Sequence, residues 1–241
     1  MGVRSRQRSG VLITVEGIEG SGKTTQLRRL ATRLRGRGYR VVETREPGGT
    51  PVAERIREVL LDNGSKHHRS EPMAPACEAF LILAARSQHV AHVIEPALRA
   101  GSLVLCDRFF DSTLAYQGYA RGMDRKLLGN LNRAATGGLE PDLTLLFDVP
   151  VGVGLARRRH YATEQNRLDH ETRQFHEKVR RGFLALAAAH RRRIKAINGQ
   201  SPPDTVASEV ASVVTKFLTT LPAGRLKTIT VLRRTALSLQ R

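Results

Sequence analysis

VLITVEGIEGSGKTTQ, residues 11–26, writes a strand, a loop and the start of a helix in one line. The run Val11, Leu12, Ile13, Val15 is apolar and mostly β-branched, which suits a buried strand. Gly17-x-x-x-x-Gly22-Lys23-Thr24 follows it, and Thr24–Leu34 is helix-compatible. The glycines let the backbone curl until successive N–H groups converge, a nest for phosphate oxygens at a helix N-terminus. In that geometry Lys23 reaches the terminal phosphates and Thr24 turns its hydroxyl to Mg2+. A tight βα turn with an incidental lysine is the competing reading, and the strand and helix on either side argue against it. The stretch implies a nucleoside triphosphate and leaves open what receives the phosphoryl group.

Outward from this stretch, strand and helix patterns alternate, the mark of an α/β fold with a parallel sheet. The expected order is strand 11–16, helix 22–35 ended by Gly36 or Gly38, strand 40–44, and a helix from Thr50 to Leu61 with Pro51 at its first position. Residues 63–75 are polar, hold two prolines and read as loop. A long helix over 76–100, bent before Pro96, leads to an apolar, central strand at 103–107. Helices at 112–119 and 124–136, strand 143–148 and a helix starting near Pro150 follow. A polar segment at 160–169, helix 170–190, strand 193–197 and helix 203–221 complete the order. Five strands with intervening helices form one doubly wound domain over about 11–221, with ligands expected at the carboxyl ends of the strands. Residues 1–10 and 222–241 read as basic tails. Thr228–Leu232 is β-prone and reads as an added edge strand or as disordered tail, with disorder favoured.

The composition, 40% hydrophobic and 26% charged, suits one globular domain. No run approaches a membrane span, and MGVRSRQRSG lacks the apolar segment of a signal peptide. The two cysteines, Cys77 and Cys106, lack metal-site spacing and read as buried thiols in a reducing cytoplasm. The net charge of +18 resembles a nucleic-acid footprint, but its location argues otherwise. The excess sits almost wholly in the two tails and in residues 155–195, and the rest is nearly balanced. The tails read as solvated ends, and the middle segment as a solvated helix face or an anion clamp.

Charged residues emerge where strands end. Strand two delivers Thr44-Arg45-Glu46-Pro47-Gly48-Gly49-Thr50, a turn with Thr50 as helix cap. Arg45 either forks onto a phosphate or pairs at the surface with Glu43 or Glu46. Strand three ends in Asp107-Arg108, as Mg2+ ligand and phosphate ligand or as an internal ion pair. Glu78, Ile82 and Arg86 share one helix face. Arg86, in an otherwise apolar stretch, must pair with an acid or read a ligand.

Taken together, GIEGSGKTT (17–25), TREPGGT (44–50), VLLDNG (59–64), DRFFDSTLAYQG (107–118), ARG (120–122) and PDLTLLFDVP (141–150) resemble the bacterial type of thymidylate kinase (dTMP kinase). The likeness covers about Val11–Leu221. It implies a three-layer P-loop kinase fold, a five-stranded parallel sheet with helices on both faces and a lid segment at about 157–170. It implies transfer of the γ-phosphoryl group of ATP to dTMP with Mg2+, by a cytoplasmic homodimer built on helices within 76–100 and 112–135. The family's roles then fall on Gly17, Ile18, Glu19, Gly20, Ser21, Gly22, Lys23, Thr24 and Thr25 for ATP, with Glu19 also near the acceptor. Thr24 and Asp107 fall to the metal. Arg45 and Arg108 fall to the dTMP phosphate, and Arg86, Ser112, Thr113 and Gln117 to the base. Tyr116 closes the space of a ribose 2′-hydroxyl. Some members carry an arginine inside the phosphate loop; this chain has Gly20 and Ser21 there. The lid must supply it from Arg157, Arg158, Arg159 and Arg167, and Arg159 and Arg167 are favoured.

Two positions depart from the family pattern. Ile82 stands where an aromatic stacks on thymine, and the lid reads Asn166-Arg167-Leu168-Asp169 where Asp-Arg-Phe-Glu is common. A kinase of another nucleotide or of a nucleoside, a catalytically impaired nucleotide-binding relative, and a basic nucleic-acid-binding ATPase are the competing readings.

Overall fold

The structure, a computed structural model, describes residues 8–62, 72–161 and 166–229. The expected loop at 63–71, part of the lid (162–165), the first seven residues and residues 230–241 lie outside it. Among the described residues, five parallel strands form one sheet in the order β2-β3-β1-β4-β5. They are β1 (Val11–Glu16), β2 (Val41–Arg45), β3 (Leu103–Asp107), β4 (Leu143–Asp148) and β5 (Ile194–Asn198). The middle strand is β1, with β3 beside it, so the strand read as central is one place off centre. All six residues of β1 are buried, Thr14 and Glu16 included, as a strand covered on both faces requires.

Alternate residues of β1 feed opposite layers. Val11, Ile13 and Val15 face α1 (Lys23–Gly36) and α9 (Pro203–Thr219), through Leu27, Leu30 and Val210 among others. Leu12 faces Val90, Ile94 and Leu98 on the other side. Val90 and Ile94 bound a wide-turned segment (Val90–Ile94) and Leu98 lies in α4 (Glu95–Arg99); both continue α3 (Pro75–His89) without a break. Where a bend before Pro96 was expected, the helix takes these π-type turns. Pro96 brings no N–H and crowds the carbonyl four residues back, and widening the preceding turns accommodates the ring.

The remaining helices are α2 (Pro51–Leu61), α5 (Phe110–Thr113) running into wide turns over Leu114–Ala120, α6 (Arg125–Thr136), α7 (Val151–Tyr161), α8 (Arg173–Ala189) and α10 (Ala223–Ile229). Thr50 caps α2 as expected, its hydroxyl accepting from Ala53 N at 3.1 Å. Residues 223–229, read from sequence as the start of a tail, are helical. Ile229 is buried in the core beneath α1 and α9, and Arg225 donates to Gly10 O and to Asp142. Arg8 reaches the same Asp142, so the first and last described segments meet at the amino end of β4, away from the strands' carboxyl ends. Cys106 is buried, but Cys77 is exposed on the first turn of α3, contrary to its reading as a buried thiol. No helix among the described residues is long and apolar enough to cross a membrane.

Candidate active site

The loop after β1 is held by backbone that only glycine adopts readily. Gly17, Gly20 and Gly22 have φ of 141°, 69° and 94°. A Cβ at Gly20 would lie 2.0 Å from Gly154 O of α7. Lys23 opens α1 and folds back over the loop, donating to Gly17 O (3.0 Å), Ile18 O (2.7 Å) and Ser21 Oγ (3.2 Å). Burial, reinforced by the charge of Arg108, pushes its pKa down to about 8. Thr24 Oγ1 donates to Asp107 Oδ2 at 2.5 Å, so the hydroxyl and carboxylate expected at a metal stand together. Thr25 lies exposed beside them.

Asp107 and Arg108 do not pair with each other. Arg108 sits at φ 71°, a left-handed conformation rare outside glycine, and its N–H bonds to Val15 O at 2.9 Å. That turn sends its guanidinium across the loop to Gly17 O (3.0 Å), Ser112 Oγ (3.2 Å) and Glu19 Oε1 (3.0 Å), 5.1 Å above the Tyr116 ring. Tyr116 Oη donates to the same Glu19 oxygen at 2.6 Å. Burial works against ionising Glu19, but Arg108 first, then His176, Lys23 and Tyr116, outweigh it and hold the carboxyl well below its usual range. Behind them, Glu16 accepts from Phe109 N (2.8 Å) and Ser112 Oγ (2.6 Å). Burial, with the charge of Asp111, pushes its pKa up toward about 8.

Across the cleft, α3 brings Glu78, Ile82 and Arg86 to one wall, as their spacing requires. Arg86 is 1% exposed. Its Nε bonds Glu46 at 2.7 Å, and its Nη1 bonds Thr113 (2.7 Å) and Asn132 (2.6 Å). It pairs with an acid, as one sequence reading required, and it also lines the cleft. Arg45 pairs with Glu54, not with Glu43 or Glu46. Glu43 is bound by Arg35, and Glu46 points inward to Arg86 and His89. Beside Arg45 stands Arg57, bonded to Pro47 O at 2.9 Å and also lining the cleft. The sequence reading passed over it. The signal was there: Ala53 and Leu60 are the buried positions of α2, and Arg57 falls on their face.

The lid region corrects one expectation. Arg159 is exposed and lies outside the cleft, while Arg158 lines it. Arg158 forks onto Asp169 at 2.8 and 2.7 Å. Arg157 donates to Gly199 O at 2.8 Å. Arg167 faces the far end of the cleft, bonding Leu60 O (3.1 Å) and Glu78 (2.5 Å). Glu78 also accepts from Gln117 (2.6 Å) and from Arg121, whose second partner is Glu171. The changed lid sequence has a local use, because Asn166 and Asp169 form a reciprocal cap on the short helix Arg167–His170.

These walls enclose a cavity of about 600 Å³. Lys23, Arg28, Arg45, Arg57, Arg86, Arg108, Arg158 and Arg167 line it against five carboxylates, an excess that suits polyanions. The arrangement has two cationic ends, the loop with Lys23 and the Arg45–Arg57–Arg108 group, joined through Glu19.

The model of the thymidylate kinase family matches residues 15–210. A thymidylate kinase of Geobacter sulfurreducens is 50% identical over 210 residues, covering 85% of this chain and 96% of that protein. One from Thermomicrobium roseum is 51% identical over 206 residues, covering 86% and 95%. The crystal structure of thymidylate kinase from Ehrlichia chaffeensis superposes with a TM-score of 0.68 at 32% identity, covering 85% of this chain and 98% of that one. The family model spans most of the chain and the curated relatives are about half identical over it, and the chain belongs to the thymidylate kinase family.

Proposed function

We propose that this chain transfers the γ-phosphoryl group of ATP to dTMP, giving ADP and dTDP. The observation that carries the reading is the single cleft with two cationic ends, one a phosphate loop and one a cluster of arginines at the ends of β2 and β3 and on α2. The acceptor is a phosphate monoester with a second pKa near ~6, so it is largely dianionic at neutral pH and needs no general base. Catalysis then amounts to holding two polyanions in line and cancelling their charge. The loop Gly17–Thr25 and Lys23 hold the donor. Arg45, Arg57 and Arg108 hold the acceptor phosphate, and Glu19 orients Arg108. Arg86 and Gln117 read the base beside Ile82, Ser112 and Thr113, and Tyr116 excludes a 2′-hydroxyl. Arg158, and Arg167 once released from Glu78, supply the lid charge.

Thr24 Oγ1 and Asp107 Oδ2 are hard oxygen donors that fit Mg2+, which takes most of its remaining ligands from phosphates and water. When bound, the ion neutralises charge on the transferring phosphoryl oxygens. Internal ion pairs of Arg158, Arg167, Arg173, Arg180 and Arg193 in the basic segment favour small polyanions over nucleic acid as the partner. The enzyme works in the cytoplasm, in keeping with two free thiols. It works as a homodimer, in keeping with exposed Val52, Val59, Phe80 and Leu127 on α3 and on α2 and α6, which each pack against α3.

ADP release with ATP, Mg2+ and each nucleoside monophosphate in turn tests the activity. Fastest turnover on dTMP is expected; a preference for another monophosphate, or acceptor-independent ADP release, overturns it. Sedimentation equilibrium tests the dimer, with Phe80→Glu expected to give monomer.

A further inference from the structure

We propose that His176 is a positioning residue for the acceptor end of the cleft, holding the second carboxylate oxygen of Glu19 and, through Glu19, the guanidinium of Arg108. The two oxygens of Glu19 differ sharply. Oε1 accepts from Arg108 at 3.0 Å and from Tyr116 at 2.6 Å. Oε2 is buried without a hydrogen-bond partner, and the cationic or neutral group facing it is His176, with Nδ1 at 3.4 Å. The ring is wholly buried, and neither of its nitrogens has a hydrogen bond.

Packing alone does not account for an imidazole there. His176 lies on the inward stripe of α8 with Val179 and Phe183, where the neighbouring aromatic core is apolar. A buried ring whose nitrogens both go unpaired is costly. The other wholly buried histidine, His89, shows how the fold normally meets that need: Thr44 lies at 2.6 Å and Glu46 at 3.1 Å from its two nitrogens. For His176, closing a few tenths of an ångström brings Nδ1–H into bonding range of Oε2. Lys23, Arg108 and Tyr116 already surround Glu19, so a neutral imidazole suffices as donor. The placement is also mechanical. The helix α8 begins directly after Arg167–His170 and Glu171, so His176 fastens the element that carries the lid onto the phosphate loop.

The proposal rests on the reading of Glu19 and Arg108 as acceptor-side residues. Steady-state kinetics of the full chain with ATP and dTMP test it, in His176→Phe, His176→Gln, Glu19→Gln and the double variant Glu19→Gln/His176→Phe, alongside thermal unfolding. His176→Phe is expected to raise KM for dTMP at least five-fold, with KM for ATP within two-fold and no loss of Tm. His176→Gln, which keeps a donor, is expected to restore most of the loss, and His176→Phe to add nothing to Glu19→Gln. If the phenylalanine variant fails to fold, His176→Met takes its place. A rise in KM for dTMP from Glu19→Gln but not from His176→Phe overturns the proposal, as do additive effects in the double variant. No rise from Glu19→Gln itself overturns the acceptor reading instead.

Discussion

Replacing Arg86 by methionine separates the two roles that the fold gives this side chain. Methionine retains much of the aliphatic stem and removes three hydrogen bonds, to Glu46, Thr113 and Asn132. Glu46, 4% exposed, then keeps its charge with only His89 Nδ1 at 3.1 Å among its side-chain partners. Removing one partner of a buried pair costs about 3–5 kcal/mol, because the remaining charge stays desolvated. At about 2–4 °C per kcal/mol for a domain of this size, Tm falls by about 6–20 °C. Adding Glu46→Gln removes the stranded charge while keeping an amide for His89. The double variant is therefore expected to lose only about 1–2 kcal/mol. Urea unfolding at neutral pH, read by far-ultraviolet circular dichroism, measures all three proteins. A loss below about 1 kcal/mol in the single variant, or a double variant as unstable as the sum of its singles, refutes the argument. Where both variants fold, dTMP affinity reports the second role. It stays weakened in the double variant, because repairing the core does not restore a donor to the cleft.

Ile82→Phe adds a stacking ring on the cleft wall and is expected to tighten dTMP binding by about five- to 150-fold in calorimetry, the equivalent of ~1–3 kcal/mol. Unchanged affinity would mean that the base does not lie against position 82. Arg158→Ala is expected to lower kcat by about 10²–10³-fold, as removal of one transition-state donor does, while the exposed Arg159→Ala stays within about two-fold. The reverse ranking would return the catalytic role to Arg159. Glu16 has a folded pKa raised toward about 8 against 4.5, so the folded chain keeps a proton that the unfolded chain releases. Stability contributed by that proton is lost as pH rises from about 4.5 through about 8, and Glu16→Gln should flatten that part of the profile. Urea midpoints from acid to mildly alkaline pH compare the two, and parallel profiles would exclude Glu16 as the source.

The fold was legible because its strands are short apolar runs and its turns carry glycine, proline and helix caps at places where only those residues serve. Val11–Glu16 could hardly be anything but a buried strand, and Thr50-Pro51 announces a helix start. What stayed hidden depends on partners distant in sequence. Arg45 finds Glu54 only because Arg86 and His89 draw Glu46 into the interior. Ile229 turns a basic tail into a helix by adding one apolar side chain to a core assembled from six other elements, β1, β3, β4, β5, α1 and α9. Cys77 is exposed despite an apolar neighbourhood in sequence, because it occupies the outer face of the first turn of α3. Each of these needs the third dimension, since periodicity says which residues share a face and not what that face meets.

The lid arginine shows how close sequence can come without that information. The loop lacks an arginine at Gly20 for a steric reason: φ is 69° there, and a Cβ would strike Gly154 O at 2.0 Å. The obstruction and the remedy are the same element. The helix α7 packs its Val151 and Gly154 against the loop, and Gly154 is itself so close to Glu19 O that its own Cβ would lie at 2.6 Å. A helix seated by residues 151 and 154 carries position 158 on the same side and turns position 159 about 100° away. The contact that forbids an arginine at position 20 therefore places Arg158 rather than Arg159 toward the cleft. Asp169 holds its fork in place, so the arginine proposed to deliver the lid charge is anchored on the loop's own neighbour.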